Sequence, residues 1–334
     1  MHPTAVLPSR AGAPLFLLWP RIRNRAERSV LGAAGACPVQ PGRREFALHD
    51  SNTPMLNSNL AQRLATAVVA IPLLAWLVFV GPAWSLYALA LTVTILGARE
   101  LFQMTHPEDV PSQAIGVLLA SSVSAILYLG SGDLRVLLTL LVVAPTLGPL
   151  VTLLRLKDIP SAARRAMSMS AGPLVIGIPM TLLALIKKGG ASSAPGWIMA
   201  AFCFAWIADT GGYFAGRFLG KHKLYEAVSP KKTVEGAVGA LAANVVAAWV
   251  LHVTLLKEVS FAYLAVLGLI AGVFGIAGDL AESLLKRSVG VKDSGSLIPG
   301  HGGILDRIDA LMLTSTVVFV SRLWASPDAC PFSQ

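Results

Sequence analysis

Nine apolar runs, each about as long as a membrane-crossing helix, fill the chain from residue 62 onward. They lie near 62–80, 84–103, 113–130, 134–154, 167–186, 196–216, 235–256, 261–284 and 304–324. About 20 helical residues cross roughly 30 Å of hydrocarbon. Lipid offers no partner to a free backbone N–H or C=O, so runs of this kind are restricted to packed helices. The expected fold is all-α: a polytopic integral membrane helical domain with about nine transmembrane helices. Composition agrees, with 54% hydrophobic residues, 13% charged and a mean hydropathy of +0.66. Soluble domains carry about 25% charged residues. Links such as Gly81–Pro82–Ala83 and Ser131–Gly132–Asp133 read as tight turns. No internal repeat is visible, which gives no support to a transporter built from inverted repeats.

The net charge is +9, and its distribution sets an orientation. The links after runs 4, 6 and 8 hold 13 Lys and Arg: Arg155, Lys157, Arg164 and Arg165; Arg217, Lys221, Lys223, Lys231 and Lys232; Lys286, Arg287, Lys292 and Arg307. The links after runs 1, 3, 5 and 7 hold 4: Arg135, Lys187, Lys188 and Lys257. By the positive-inside rule the N-terminus is cytoplasmic, and the links after runs 6 and 8 face the cytoplasm. No basic stripe is interleaved with aromatics, so nucleic acid is not an expected partner.

Three segments are expected: an Arg- and Pro-rich extension over 1–54, a transmembrane domain over 55–325 and a short tail over 326–334. Met55 opens MLNSNLAQRL, directly before the first run, and is read as a natural start. Cys37, Cys203 and Cys330 are far apart, without CxxC spacing, so neither a disulfide framework nor a zinc site is indicated. Cys203 is read as a packing residue.

Between runs 8 and 9 the sequence turns polar. Ten of the 32 residues from Gly278 to Asp309 are ionisable, which is costly beside lipid unless the groups pair, bind ions or face water. Asp279, Glu282 and Lys286 share a helix face by their spacing, as do Asp306 and Asp309. Between them Ser294–Gly303 carries four glycines and His301. Glycines let backbone N–H groups approach an oxyanion closely. Carboxylates suit a hard divalent cation such as Mg²⁺, and Lys and Arg suit phosphates. These are the parts for metal-assisted phosphoryl or nucleotidyl transfer; the alternative is an interhelical salt-bridge network. A second polar group follows run 6. Asp209 ends an apolar stretch, and Ser229–Pro230–Lys231–Lys232–Thr233 offers two hydroxyls and two ammoniums. That loop suits a triphosphate or anionic headgroups. Arg99–Glu100 reads as an interfacial pair, His222 as solvated and His252 as structural. No GxSxG, HExxH or Walker A motif is present.

Ser283-x-Leu285-Lys286-Arg287, Lys292-Asp293-x-Gly295 and Ile298-Pro299-x-His301-Gly302-Gly303-Ile304-x-Asp306-Arg307-Ile308-Asp309 together resemble the signature of the phosphatidate cytidylyltransferase (CDP-diacylglycerol synthase) family. Asp209-Thr210-Gly211, Gly216-Arg217, Gly220-Lys221, Ser229-Pro230 and Lys232-Thr233-x-Glu235-Gly236 are similar to it as well. One departure is Val234, where the family pattern has Trp, which bears on a local packing or substrate contact. The resemblance implies a membrane enzyme that joins CTP and phosphatidic acid into CDP-diacylglycerol and pyrophosphate. It also implies a homodimer in the cell (inner) membrane, Mg²⁺, and K⁺ completing the metal centre. By that pattern Asp279 and Asp306 would bind the metal. Lys286, Arg287, Lys292 and Arg307 would neutralise phosphates. Ser229, Lys231, Lys232, Thr233 and Ser283 would bind substrate. Asp209, Glu282, Asp293 and Asp309 would orient ligands or support the metal, and His301 would orient or contact phosphate. The rival readings are a transporter or flippase with an ion path through the cluster, and a cytidylyltransferase acting on another lipid phosphate.

Overall fold

The computed structural model describes residues 68–130, 133–295 and 302–325. The extension 1–54, Met55, Cys37, His301, the tail 326–334 and Cys330 lie outside them. Each of the nine apolar runs coincides with a helix: α1 Val68–Phe79, α2 Ala83–Thr105, α3 Val110–Leu129, α4 Leu134–Leu154, α5 Ile159–Lys188, α6 Ala194–Leu219, α7 Val234–Thr254, α8 Phe261–Ser288 and α9 Leu305–Ala325. By length and composition seven of them, α2 to α8, can cross a membrane. One element departs from the all-α expectation. The link after α6 is an antiparallel hairpin, β1 Lys223–Tyr225 and β2 Ser229–Thr233, pairing Lys223 with Thr233 and Tyr225 with Ser229.

Helix starts follow local chemistry. Asp109, Asp133, Asp158, Thr233 and Ser260 each accept a hydrogen bond from a backbone N–H two or three residues ahead, satisfying donors that the first helical turn leaves unpaired. Prolines inside helices remove donors instead. Pro149 has no N–H for the Pro145 carbonyl, and Ser170 of α5 fills the gap with its hydroxyl at 2.7 Å.

The α6–α7 pair decides where the polar residues meet. Apolar surface drives no association between helices in lipid, so close approach rests on small residues and polar contacts. Gly211, Gly212, Ala215 and Gly216 on α6 face Gly236, Gly239, Ala240 and Ala243 on α7. A Cβ on Gly239 would overlap the Ala215 Cβ and sit 3.0 Å from the Gly211 carbonyl oxygen. Asn244 ties in the next helix: its Nδ2 donates to the carbonyls of Phe204 at 3.1 Å and Gly268 at 3.0 Å. Helices α8 and α9 are joined at their far ends by Tyr263, whose hydroxyl lies 2.7 Å from Ser321 Oγ.

Two of the basic residues on the sparse side of the charge count are tied into the bundle. Lys187 donates to the carbonyls of Leu77 and Val78 at the end of α1. Lys188 donates to the Tyr128 carbonyl at 2.8 Å and lies 4.5 Å from the Tyr128 ring centroid. Lysine at a helix C-terminus complements its dipole.

At the other end of α5, Asp109 is buried between Arg165 and Arg155, the latter at 3.2 Å, and Ser112 Oγ donates to it at 2.7 Å. Burial pushes the Asp109 carboxyl up, but the bonds from Ser112, Arg165 and Arg155 outweigh it and hold the group well below its ordinary value. Beside it, His106 is buried and hydrogen-bonded through Nδ1 to Thr105. Burial first, and then the Arg165 charge, push His106 down from 6.5 to about 4. The unfolded chain takes up a proton near pH 6.5 and the folded chain does not. The His106 contribution to stability is therefore complete above pH 6.5 and is lost progressively as pH falls towards 4. Asp109 adds to that slope only below about pH 5, where the unfolded carboxyl begins to take up a proton while the folded one stays ionised. The thermal midpoint in detergent is expected to fall between pH 6.5 and pH 4, and His106→Gln to flatten that fall.

Candidate active site

The hairpin begins where α6 stops. Gly216 and Gly220 let the chain pass against Thr233, whose Oγ1 would meet a Cβ at either position at 3.1 and 2.9 Å. Thr233 Oγ1 in turn accepts from Gly236 N at 3.1 Å and caps α7. Glu235, in the first turn of α7, reaches back and accepts from the N–H groups of Lys221 and His222 and from His222 Nδ1 at 2.6 Å. His222 is thus solvated, as expected, and also a strut. Lys223 Nζ crosses the hairpin to the Pro230 carbonyl at 2.6 Å. With the base of the hairpin held at these points, Lys231 and Lys232 of β2 both border the side where α6, β2 and α8 meet.

That side is a cavity of about 380 Å³, within the range of small-molecule sites. Asp209, Tyr213 and Arg217 of α6, Lys231, Lys232 and Thr233 of β2, and Gly275, Ile276 and Asp279 of α8 line it. Lys232 forms an ion pair with Asp279, each about a quarter exposed. Ser283 Oγ lies 3.4 Å from Asp279 Oδ1. Asp309 lies behind this wall, near enough for its charge to act on Asp279 and Asp209, and the Arg307 charge also reaches Asp209.

Behind the cavity is a buried layer. Lys286 bridges Glu282 at 3.1 Å and Asp306 Oδ1 at 2.6 Å, linking α8 to α9. Asp306 Oδ2 accepts from Ser294 N at 3.1 Å, Ser294 Oγ at 3.0 Å and Gly303 N at 3.0 Å. Glu282 is buried between the Lys286 ammonium and the Asp309 carboxyl. The expected shared face of Glu282 and Lys286 is present, as is the salt-bridge network that the sequence offered as an alternative. The network and the cavity are successive layers of one structure.

Other expected site residues sit elsewhere. Ser229 lies opposite Tyr225 in the hairpin and does not line the cavity. Arg287 turns back to the hairpin, with Nε 3.5 Å from the Val228 carbonyl oxygen, and donates from Nη1 to Val291 O at 3.3 Å. Lys292 and Asp293 are exposed beyond the end of α8, away from the cavity wall.

Two features were not anticipated. Tyr213 and Arg217 line the cavity; Arg217 read as part of a basic link and, in Gly216-Arg217, as part of the family resemblance, but not as a site residue. The second is Glu100. It does not pair with Arg99, which is exposed, but is itself buried, 4% exposed, against the start of α9. Its Oε1 accepts from Ile304 N at 3.0 Å and its Oε2 from Leu305 N at 2.9 Å and Ser294 Oγ at 3.0 Å. No local pattern could show this, since the partners lie about two hundred residues away.

Among the described residues no three His, Cys, Asp or Glu side chains converge as a ready-made metal cage. The donor set still suits Mg²⁺, which binds through one or two carboxylates together with substrate phosphates and keeps much of its water. Asp279 on the cavity wall and buried Glu282 supply carboxylate charge that Lys232 and Lys286 balance here.

Comparison with known proteins gives the same region a context. The model of the cytidylyltransferase family matches residues 61–324. A phosphatidate cytidylyltransferase from Synechocystis is 33% identical over 288 residues, covering 77% of this chain and 94% of its own. Those from Staphylococcus saprophyticus and Bacillus subtilis are 47% identical over 116 residues and 42% over 123, covering 35% and 37% of this chain. In these two matches the chain spans about half the length of the relative, 45% and 46%. The family model takes in nearly all of the described structure, and the Synechocystis protein is matched almost from end to end. This chain belongs to the cytidylyltransferase family.

Proposed function

We propose that the protein is a phosphatidate cytidylyltransferase: a membrane enzyme that converts CTP and phosphatidic acid to CDP-diacylglycerol and pyrophosphate. One observation carries the reading. The Asp209 and Asp279 carboxylates and the Lys231–Lys232–Thr233 strand, drawn from separate polar segments, line one cavity at the end of membrane-spanning helices. The names of the Synechocystis, Staphylococcus and Bacillus relatives support it.

The chemistry accounts for the residue types. A phosphate oxygen of the lipid attacks the α-phosphorus of CTP, the bond from that phosphorus to the bridging oxygen of the β-phosphate breaks, and pyrophosphate departs with the electron pair. The nucleophile is already ionised at neutral pH, so no strong general base is needed. The obstacle is repulsion between two anions. Lys231, Lys232 and Arg217 offset it and hold the reacting groups in line. Thr233 and the hairpin fix the lysines. Lys286 keeps α8 and α9 in register while neutralising Glu282 and Asp306. A bound Mg²⁺ would be held by Asp279 and Asp306, with Glu282 and Asp309 adjacent, and would supply further neutralisation of phosphate charge. K⁺ at the same cluster belongs to this reading, and turnover in potassium against sodium salts reads it out.

The active site is read as cytoplasmic, with the N-terminus on the same side, from the 13-to-4 charge asymmetry. Two of the four opposing basic residues, Lys187 and Lys188, donate to carbonyls at helix ends. All nine helices are read as spans, α9 with its acids at the cytoplasmic end.

Purified protein in proteoliposomes is expected to release pyrophosphate only when CTP, phosphatidic acid and Mg²⁺ are all present. Ion or lipid movement without pyrophosphate release would favour a transporter. Turnover with a different lipid phosphate, but not with phosphatidic acid, would move the substrate.

A further inference from the structure

Glu100 lies on α2, outside both polar segments, yet it touches the segment richest in site residues. Its carboxylate accepts from Ser294 Oγ on one side and from Ile304 N and Leu305 N on the other. Ile304 and Leu305 open α9, so Glu100 supplies from a distant helix what a local N-cap supplies elsewhere in this fold. A carboxylate there also meets the positive end of the α9 dipole.

Two glycines carry an independent mark of the same contact. A Cβ on Gly295 would sit 2.6 Å from Glu100 Oε1, and one on Gly303 would overlap Glu100 Oε2 and Ser294 Oγ. A Gly303 Cβ would also lie 2.8 Å from Gly295 N, so the backbones at 295 and 303 are in close contact. Asp306 completes the joint from within α9, accepting from Ser294 and Gly303. Ser294 thus has two carboxylates at 3.0 Å from its hydroxyl, one from each side, and its single proton is shared between them.

We propose that Glu100 is a positioning residue of the active site: it clamps Ser294–Gly295 against Gly303–Leu305 and so sets where Asp306 and Asp309 stand relative to the cavity. It touches no substrate. The inference rests on the proposed function for its kinetic arm only. Cavity residues Asp209, Lys231, Lys232 and Thr233 belong to α6 and the hairpin, so loss of the clamp leaves their contacts with CTP in place. It misplaces the α9 acids, and an error of about 1 Å at reacting groups costs on the order of 10²-fold in rate.

The test compares wild-type protein with Glu100→Gln, Glu100→Ala and Arg99→Gln, each taken as the monodisperse folded fraction in detergent. Arg99→Gln is expected to behave as wild type, since Arg99 is exposed. Glu100→Gln is expected to lower kcat on the order of 10²-fold with KM for CTP changed less than about threefold. Amide exchange at Ile304 and Leu305 is expected to quicken at least about tenfold in Glu100→Ala, a readout independent of activity. Wild-type kcat in folded Glu100→Gln, or unchanged exchange in Glu100→Ala, overturns the proposal. An inactive wild-type protein with quickened exchange in Glu100→Ala upholds the clamp and counts against the proposed reaction instead.

Discussion

Asp279→Asn is expected to lower turnover on the order of 10³-fold while the protein keeps its fold. The two halves of this expectation have separate causes. Asp279 is partly exposed on the cavity wall, and its partner Lys232 is exposed to the same extent. With about a quarter of each side chain exposed at the cavity, the pair is worth on the order of 1 kcal/mol, so its loss lowers the thermal midpoint only slightly. The charge that Asp279 brings to a metal–phosphate contact has no substitute in an amide. Asp306→Asn differs. Asp306 is fully engaged, with Lys286 on one oxygen and two backbone N–H groups and the Ser294 hydroxyl, shared with Glu100, on the other. An Asn there would leave the largely covered Lys286 with one carboxylate and would set an NH₂ against a donor, so stability and activity should fall together. The pair of variants therefore separates the two layers of the site. Activity measured per folded molecule, with a thermal scan beside it, checks both. Near-normal turnover in Asp279→Asn would remove Asp279 from the chemistry.

Gly239→Leu should be the most disruptive change away from any charged group. Position 239 faces Ala215 and the Gly211 carbonyl, and even a Cβ has no room there. Forcing extra carbons into a packed contact costs about 1–3 kcal/mol, and here the helices cannot separate without carrying the hairpin along. Thr233 caps α7 while Lys231 and Lys232 lie on the strand that leads into it. A shift of α7 therefore moves both lysines relative to Asp209 and Asp279. The expected result is a lower thermal midpoint together with a raised KM for CTP. Val238→Leu, on the neighbouring exposed position, is the control and should change neither. An unperturbed Gly239→Leu would mean that the α6–α7 contact is looser than described.

The fold was legible in the sequence where the solvent dictates it. Lipid requires every backbone group to be paired within a helix, so each apolar run became one. The spacing of Glu282 and Lys286 likewise translated directly into contact, because both lie on one helix. The hairpin was not legible. SPKKT has no alternation of apolar and polar residues and contains a proline, and its strand pairing comes from the struts at its base rather than from its own pattern. Glu100 was hidden for a different reason. Its neighbour Arg99 offered a plausible local partner, while the donors it uses are backbone N–H groups at the start of a helix far along the chain. Lys187 and Lys188 read as loop charges because the carbonyls they bind are only brought near by packing. Sequence spacing thus found residues that act within one element and missed those that act between elements.

The account makes one claim above the others: the hairpin and the 278–309 segment together move a cytidylyl group onto phosphatidic acid. Label transfer tests it most directly. With purified protein, phosphatidic acid and Mg²⁺, CTP labelled at the α-phosphorus should pass its label to the lipid, while CTP labelled at the γ-phosphorus should pass its label to pyrophosphate. Label from the γ-position in the lipid, or pyrophosphate release that does not depend on phosphatidic acid, would contradict the account.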